Sequence, residues 1–257
     1  LPLDANMQIM AKFEIGDGNF DIEVGVDPDY EALEMKVGSY INAEGRVVRD
    51  AADAVGIVFK MEAIGSDVPA NYPVALQGKT IVGYAVAIEN VATGRQTLNT
   101  ELLTTLAETA AGMTNGTQTT DVLLTGLGDV AFKTTYEKWV GEHALASENL
   151  SAWYIPTLSQ LSAFMGTLFT MKEVPATGSE DFKNIPEFEF VNGKMFDRTP
   201  INTVNYASST INNQNNVSGV RINVTDGAVT NAQEAGISVK AALNQQALCR
   251  PMITIFK

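Results

Sequence analysis

The chain has 257 residues, 45% of them hydrophobic, with 30 acidic against 17 basic side chains and a net charge of −13. That length and apolar content allow a sizeable core in one large domain, or in one domain with a small appendage. The acidity excludes nucleic acid and anionic membrane as natural partners, because no basic run exists to neutralise phosphates, and the scattered acidic residues serve solubility.

From Met7 to Val26 apolar and polar residues partly alternate around Gly16-Asp17-Gly18-Asn19, the pattern of a β-hairpin. Asp27-Pro28-Asp29-Tyr30 breaks it, so residues 1–34 are expected to form a small β segment, either packed on the main domain or trailing from a preceding one, and residues 35–257 the main domain. Glu44-Gly45 signals a turn. Val55-Gly56-Ile57-Val58-Phe59 and Ile81 to Ile88 are apolar runs rich in β-branched residues, expected to pair as buried strands, with Gly56 and Gly83 marking bulges or close backbone approach. A helix is expected from Asn99 or Thr100 through Ala110, and a short one from Thr120 or Asp121 after the polar link Thr114-Asn115-Gly116-Thr117. A longer helix carries Phe132, Tyr136, Trp139, Val140 and His143.

The stretch Trp153-Tyr154-Ile155-Pro156-Thr157 organises the middle of the chain. Pro156 forces Ile155 toward extended geometry, and Thr157 with Gln160 three residues later is a capping box. Leu158, Leu161, Phe164, Met165, Leu168 and Phe169 follow at helical spacing, so Trp153 and this face are expected in the core. Lys172 to Pro200 reads as a long surface excursion, Val220 to Thr230 as a hairpin turning at Asp226-Gly227, and Met252 to Phe256 as a strand too apolar to be left on an open edge. Strands, then helices, then strands predict an α+β domain with both chain ends in one sheet.

Few residues carry obvious chemistry. His143 and Cys249 are the only imidazole and the only thiol, which excludes a His/Cys zinc site and an internal disulfide; a core thiol and a packing histidine are expected. The pairs Asp27/Asp29 and Glu187/Glu189 match no known ligand or acid–base spacing and read as solvated loop charges. Gly16-Asp17-Gly18 and Gly126-Leu127-Gly128 read as turns, not phosphate loops. No catalytic residue, metal or cofactor is therefore expected. The apolar runs reach about eight residues, far short of the roughly 20 of a transmembrane helix, so no membrane span is expected either.

Five strings occur in one order: Gly56-Ile57-Val58-Phe59, Gly83 to Ile88, Trp153 to Thr157 with Leu161, Tyr206-Ala207-Ser208-Ser209-Thr210, and Arg250-Pro251. In these the chain, from about Lys36 to Lys257, resembles the major paralogous domain family, bacterial surface domains common in gut Bacteroidetes. The resemblance implies a C-type-lectin-like fold, mainly antiparallel sheet with packed helices. It also implies an extracellular or outer-membrane location after removal of a leader, as a module of a lipoprotein, adhesin or pilus-like protein. The calcium strings and paired cysteines of animal lectins are missing, and Cys249 alone cannot supply the cysteine pair of the related formylglycine-generating enzymes.

The expected function is a non-enzymatic, calcium-independent binding module recognising glycan or a host or bacterial surface protein. A structural or tip subunit contacting other pilus subunits is the alternative, and an enzyme of unknown type a third. The amide run from Ile211 to Gly219 offers Asn212, Asn213, Asn215 and Asn216 as donors and acceptors for a ligand, with Tyr206 or Tyr72 as a stacking surface; the same run would also serve as a solvated connector.

Overall fold

Runs such as Gly56-Ile57-Val58-Phe59, with no polar face, become strands only where both sides of a sheet are covered, and the computed structural model shows such a sheet. It describes residues 9–16, 19–26, 33–92, 96–97, 113–127, 131–170, 203–212, 216–225, 228–238 and 246–257. In chain order the strands are β1 (Ile9–Gly16), β2 (Asn19–Val26), β3 (Tyr40–Ile41), β4 (Val47–Val48), β5 (Gly56–Lys60), β6 (Ile81–Ala87), β7 (Gln96–Thr97), β8 (Thr203–Asn212), β9 (Asn216–Thr225), β10 (Ala228–Ser238), β11 (Gln246–Ala247) and β12 (Met252–Phe256). The helices are α1 (Val74–Gln77), α2 (Gly116–Leu127), α3 (Ala131–Glu142) and α4 (Leu158–Thr170). The fold is mixed α+β.

The main sheet is antiparallel, ordered β12-β6-β5-β3-β4. Side chains alternate between its faces, as the pleat requires. Ile57, Phe59, Tyr84, Val86, Met252 and Phe256 enter one core with Leu161 and Phe164 of α4. Val58, Ala85, Ala87, Ile253 and Ile255 enter a second core with Leu123 of α2 and Phe132, Tyr136 and Trp139 of α3. The piece before α4 is shared between them: Trp153 lies in the α3 core and its neighbour Tyr154 in the α4 core. Tyr154 bridges Met252 as a strand residue does, and strand-like backbone sends successive side chains to opposite sides. β12 is tied on both flanks, pairing with β6 and bridging Leu150 and Tyr154 through Ile255 and Met252.

Several expectations need correction. β1 and β2 form the expected hairpin, but they pair only with each other among the described residues, so the sheet that holds β12 begins at β3 and not at the start of the chain. The flanks of the amide run lie in strands: Ile211 and Asn212 end β8, Asn216 to Gly219 open β9, and Asn212 pairs with Asn216, because backbone pairing needs no apolar side chain; residues 213–215 lie outside the described residues. α2 starts at Gly116, not at the expected Thr120 or Asp121, and Asn115 caps it by accepting from the Gln118 amide (3.0 Å). Gly126 and Leu127 close that helix instead of turning. The helix expected over residues 99–110 and the excursion from Lys172 to Pro200 lie outside the described residues.

Two glycines are dictated by contact. At Gly83 a Cβ would lie 2.6 Å from the Lys60 carbonyl oxygen, next to irregularities in both the β5–β6 and the β6–β12 ladders. At Gly116 it would overlap the Tyr154 ring and come within 2.6 Å of the Ile155 carbonyl oxygen. Gly116→Ala is expected to cost about 1–3 kcal/mol by forcing α2 off Tyr154, read as a lower urea midpoint; an unchanged midpoint would mean the helix start yields freely.

Candidate functional site

Polar side chains that the sequence scatters over the whole chain meet around Asp67, which is only 3% exposed. Its Oδ2 accepts from the Tyr72 hydroxyl (2.5 Å) and the Tyr84 hydroxyl (2.7 Å), and its Oδ1 from the side-chain amides of Asn115 (3.3 Å) and Asn71 (3.4 Å). A carboxylate only accepts, so both tyrosines must donate to it. Thr254 then donates to Tyr72 (2.8 Å), Tyr154 donates to Thr254 (2.9 Å), and Gln160 donates to the Tyr154 oxygen (3.2 Å). The other end of the Gln160 amide accepts from the backbone of Gly116 (3.0 Å) and Thr157 (3.0 Å), so the capping residue of α4 also holds the start of α2.

Burial pushes the Tyr72 hydroxyl far above the ordinary tyrosine range, with Tyr154 and Asp67 adding to it. Burial does the same at Tyr84, where the bond to Asp67 is the next cause, and at Tyr154. All three therefore remain protonated donors at any physiological pH. The chain of bonds ties the 64–72 loop, α2, α4 and β12 together.

The sequence-derived site residues fall differently from expectation. Tyr72 is 3% and Tyr206 is 1% exposed, so neither offers a ring face to a ligand. Tyr72 packs edge-on against Phe256 (ring centroids 4.9 Å apart), and Tyr206 bonds to the buried guanidinium of Arg250. Both are tyrosines of the core. Asn212 and Asn216 meet across the hairpin, whereas Asn213 and Asn215 lie outside the described residues. Ser208 and Ser209 of the Tyr206 string are buried, and the Ser209 hydroxyl donates to the Ile155 carbonyl (2.7 Å), which makes that string a fastening between β8 and the piece before α4. Arg250 gives Nη1 to the Ala87 carbonyl (3.0 Å), and its burial lowers its pKa from the usual arginine value against the opposing pull of Tyr206. Burial pushes the Cys249 thiol up, as expected of a core cysteine.

Directly above the Asp67 network the chain turns outward. Val68 is 46% and Val74 is 83% exposed, and Ala70, Pro73 and Ala75 are exposed beside them, while Ile64, Tyr72 and Leu76 of the same segment plug into the core. The segment has two carboxylates; Asp67 is buried, and Glu62 pairs with Lys60 at 2.6 Å. A neutral apolar surface is thus held on a rigid base. Pro69, Pro73 and Gly78 give this stretch turn chemistry without apolar periodicity, so nothing in the sequence singles it out as a surface.

No family model matches the chain, and no curated protein or solved structure does either. Among the described residues, no helix is long and apolar enough to cross a membrane, and no three His, Cys, Asp or Glu side chains gather as metal ligands would.

Proposed function

We propose that this chain is a non-enzymatic, surface-located binding module of C-type-lectin-like type, and that it recognises a protein partner through the loop over Asp67. What supports the reading is the pairing of exposed Val68 and Val74 with a base fastened by buried hydrogen bonds. Pre-ordered loops lose little entropy on binding, and apolar residues left in water find their complement in another apolar surface. Lacking an accessible aromatic ring for sugar stacking, the loop favours protein over glycan as the ligand class. A pilus-type subunit is the second reading, favoured by β10, which has eleven residues and pairs only with β9 among the described strands.

The test compares the parent with Val68→Glu/Val74→Glu and with the quadruple alanine variant of Asn212, Asn213, Asn215 and Asn216, in host-cell adhesion and on a glycan array. The loop variant should keep its circular dichroism and lose about tenfold or more in adhesion. Unchanged adhesion would refute the loop. Loss in the amide variant alone would move the site to the β8–β9 tip, and concentration-dependent fibres that vanish with a proline in β10 would favour the subunit.

A further inference from the structure

The sequence holds two Asn-Gly pairs, Asn115-Gly116 and Asn192-Gly193. With no Cβ to shield it, a glycine nitrogen in an unstructured chain closes readily on the side-chain amide of a preceding asparagine. Asn115-Gly116 stands at the start of α2, where the native fold holds both partners of that reaction apart. Asn115 is 0% exposed; its Nδ2 donates to Asp67 Oδ1 (3.3 Å) and to the Asn71 carbonyl (3.2 Å), and its Oδ1 accepts from the Gln118 amide (3.0 Å). The Gly116 N–H is turned to Gln160 Oε1 (3.0 Å), and the glycine is pressed on the Tyr154 ring. Rotation of the asparagine toward the backbone would break all of its side-chain bonds at once, in a place water does not reach.

We propose that Asn115-Gly116 is a latent deamidation site, silent while α2 is docked, that turns an opening of this junction into a permanent covalent change. In the opened chain solvent base takes the Gly116 amide proton, the nitrogen forms a bond to Asn115 Cγ, and the Cγ–Nδ2 bond breaks, releasing ammonia that takes its last hydrogen from water. Water then opens the succinimide at one carbonyl or the other and leaves aspartate or isoaspartate at position 115. Nothing is oxidised or reduced; water is the co-reactant and ammonia the leaving group.

Neither product fits the native junction. Aspartate puts an acceptor oxygen where Nδ2 donated, 3.3 Å from Asp67 Oδ1 and 3.2 Å from the Asn71 carbonyl oxygen, so that acceptors face acceptors inside the protein. Isoaspartate also adds a methylene to the backbone beside Gly116, where even a Cβ would lie 2.6 Å from the Ile155 carbonyl oxygen. A chain modified here has lost the tie between α2 and the 64–72 loop, and it keeps a record of having opened.

The test ages the full chain in mildly alkaline buffer, native and in urea, and maps it by peptide mass, which reads Asn115 separately from Asn192. Deamidation at Asn115 should run at least about tenfold slower in the native chain, in proportion to the small fraction of time the junction is open. When the urea-aged chains are returned to buffer, the folded fraction from gel filtration should hold intact Asn115 almost exclusively, with the product left in the unfolded and aggregated material. Asn115→Asp, which makes the product directly, should have a urea midpoint well below that of the parent. Equal rates at Asn115 in the native and unfolded chains, product recovered in the folded fraction in its overall proportion, or an Asn115→Asp protein as stable as the parent would each overturn the proposal. Should Asn115→Asp fail to fold, the peptide map of the parent decides alone.

Discussion

Asp67→Ala is expected to lose about 3–5 kcal/mol of stability. The change removes one acceptor and strands two hydroxyls and two amides in a place water cannot reach, each at a cost of roughly 1–3 kcal/mol when wholly unsatisfied. The losses do not add in full, since Tyr72 can turn its proton toward Thr254 and Asn71 already bonds to Thr114 (3.1 Å). Tyr84 is met at 3.2 Å by the Ile64 amide, itself a donor, so the neighbouring Tyr72 hydroxyl is the acceptor left to it. Urea denaturation measures the effect, and Asp67→Asn, which keeps one acceptor oxygen and the volume, should fall between the parent and the alanine variant. A loss under about 1 kcal/mol in the alanine variant would mean the loop rehydrates at once and is not held from below.

Trp153→Ala carries the other large expectation, about 3–5 kcal/mol, the usual cost of emptying a large aromatic site. The indole is 5% exposed, meets Trp139 edge-on at 5.2 Å, and donates to the His143 carbonyl; its own carbonyl accepts from the Tyr136 hydroxyl at 3.0 Å. Removing it opens a void between α3 and the sheet while orphaning a helix-end carbonyl. Chemical denaturation and near-ultraviolet dichroism should show the loss together. A Trp153→Phe variant should recover most of the packing and none of the bond, and equal stability of the phenylalanine and alanine variants would contradict a packed site.

What could be read from the amino acids alone was what local physics decides. The runs of β5, β6 and β12 announce strands because both faces are apolar, and Thr157 with Gln160 announces the start of α4 because the reciprocal cap is written in four consecutive residues. Phe132, Tyr136 and Trp139 mark the buried face of α3 by spacing. The candidate site was not legible, for a related reason. Asp67 draws its donors from Asn71, Tyr72, Tyr84 and Asn115, the last 48 residues away, and nothing in a loop aspartate foretells which distant hydroxyls will reach it. Tyr72 and Tyr206 were open to misreading because a tyrosine has both an apolar body and a polar tip, and suits a wet groove or a satisfied core equally. The flanks of the amide run were illegible for another reason: strand pairing of Asn212 with Asn216 is a backbone matter that their side chains do not announce.

The pairing of β12 with β6 has a consequence in time. The bond between Tyr72 and Thr254 joins groups 182 residues apart, and the β6–β12 ladder runs beside it. Contacts this distant in sequence require closure of a very long loop before they return any stabilisation, which places them late on the folding route. Until then Ile81–Ala87, an apolar and uncharged segment of high strand propensity, lacks the strand that will cover one of its edges, and other chains can compete for it. Gly83, which the finished sheet needs for a close backbone approach, also lowers the strand propensity of that exposed segment while it waits, so one residue serves the native packing and restrains misassembly on the way to it.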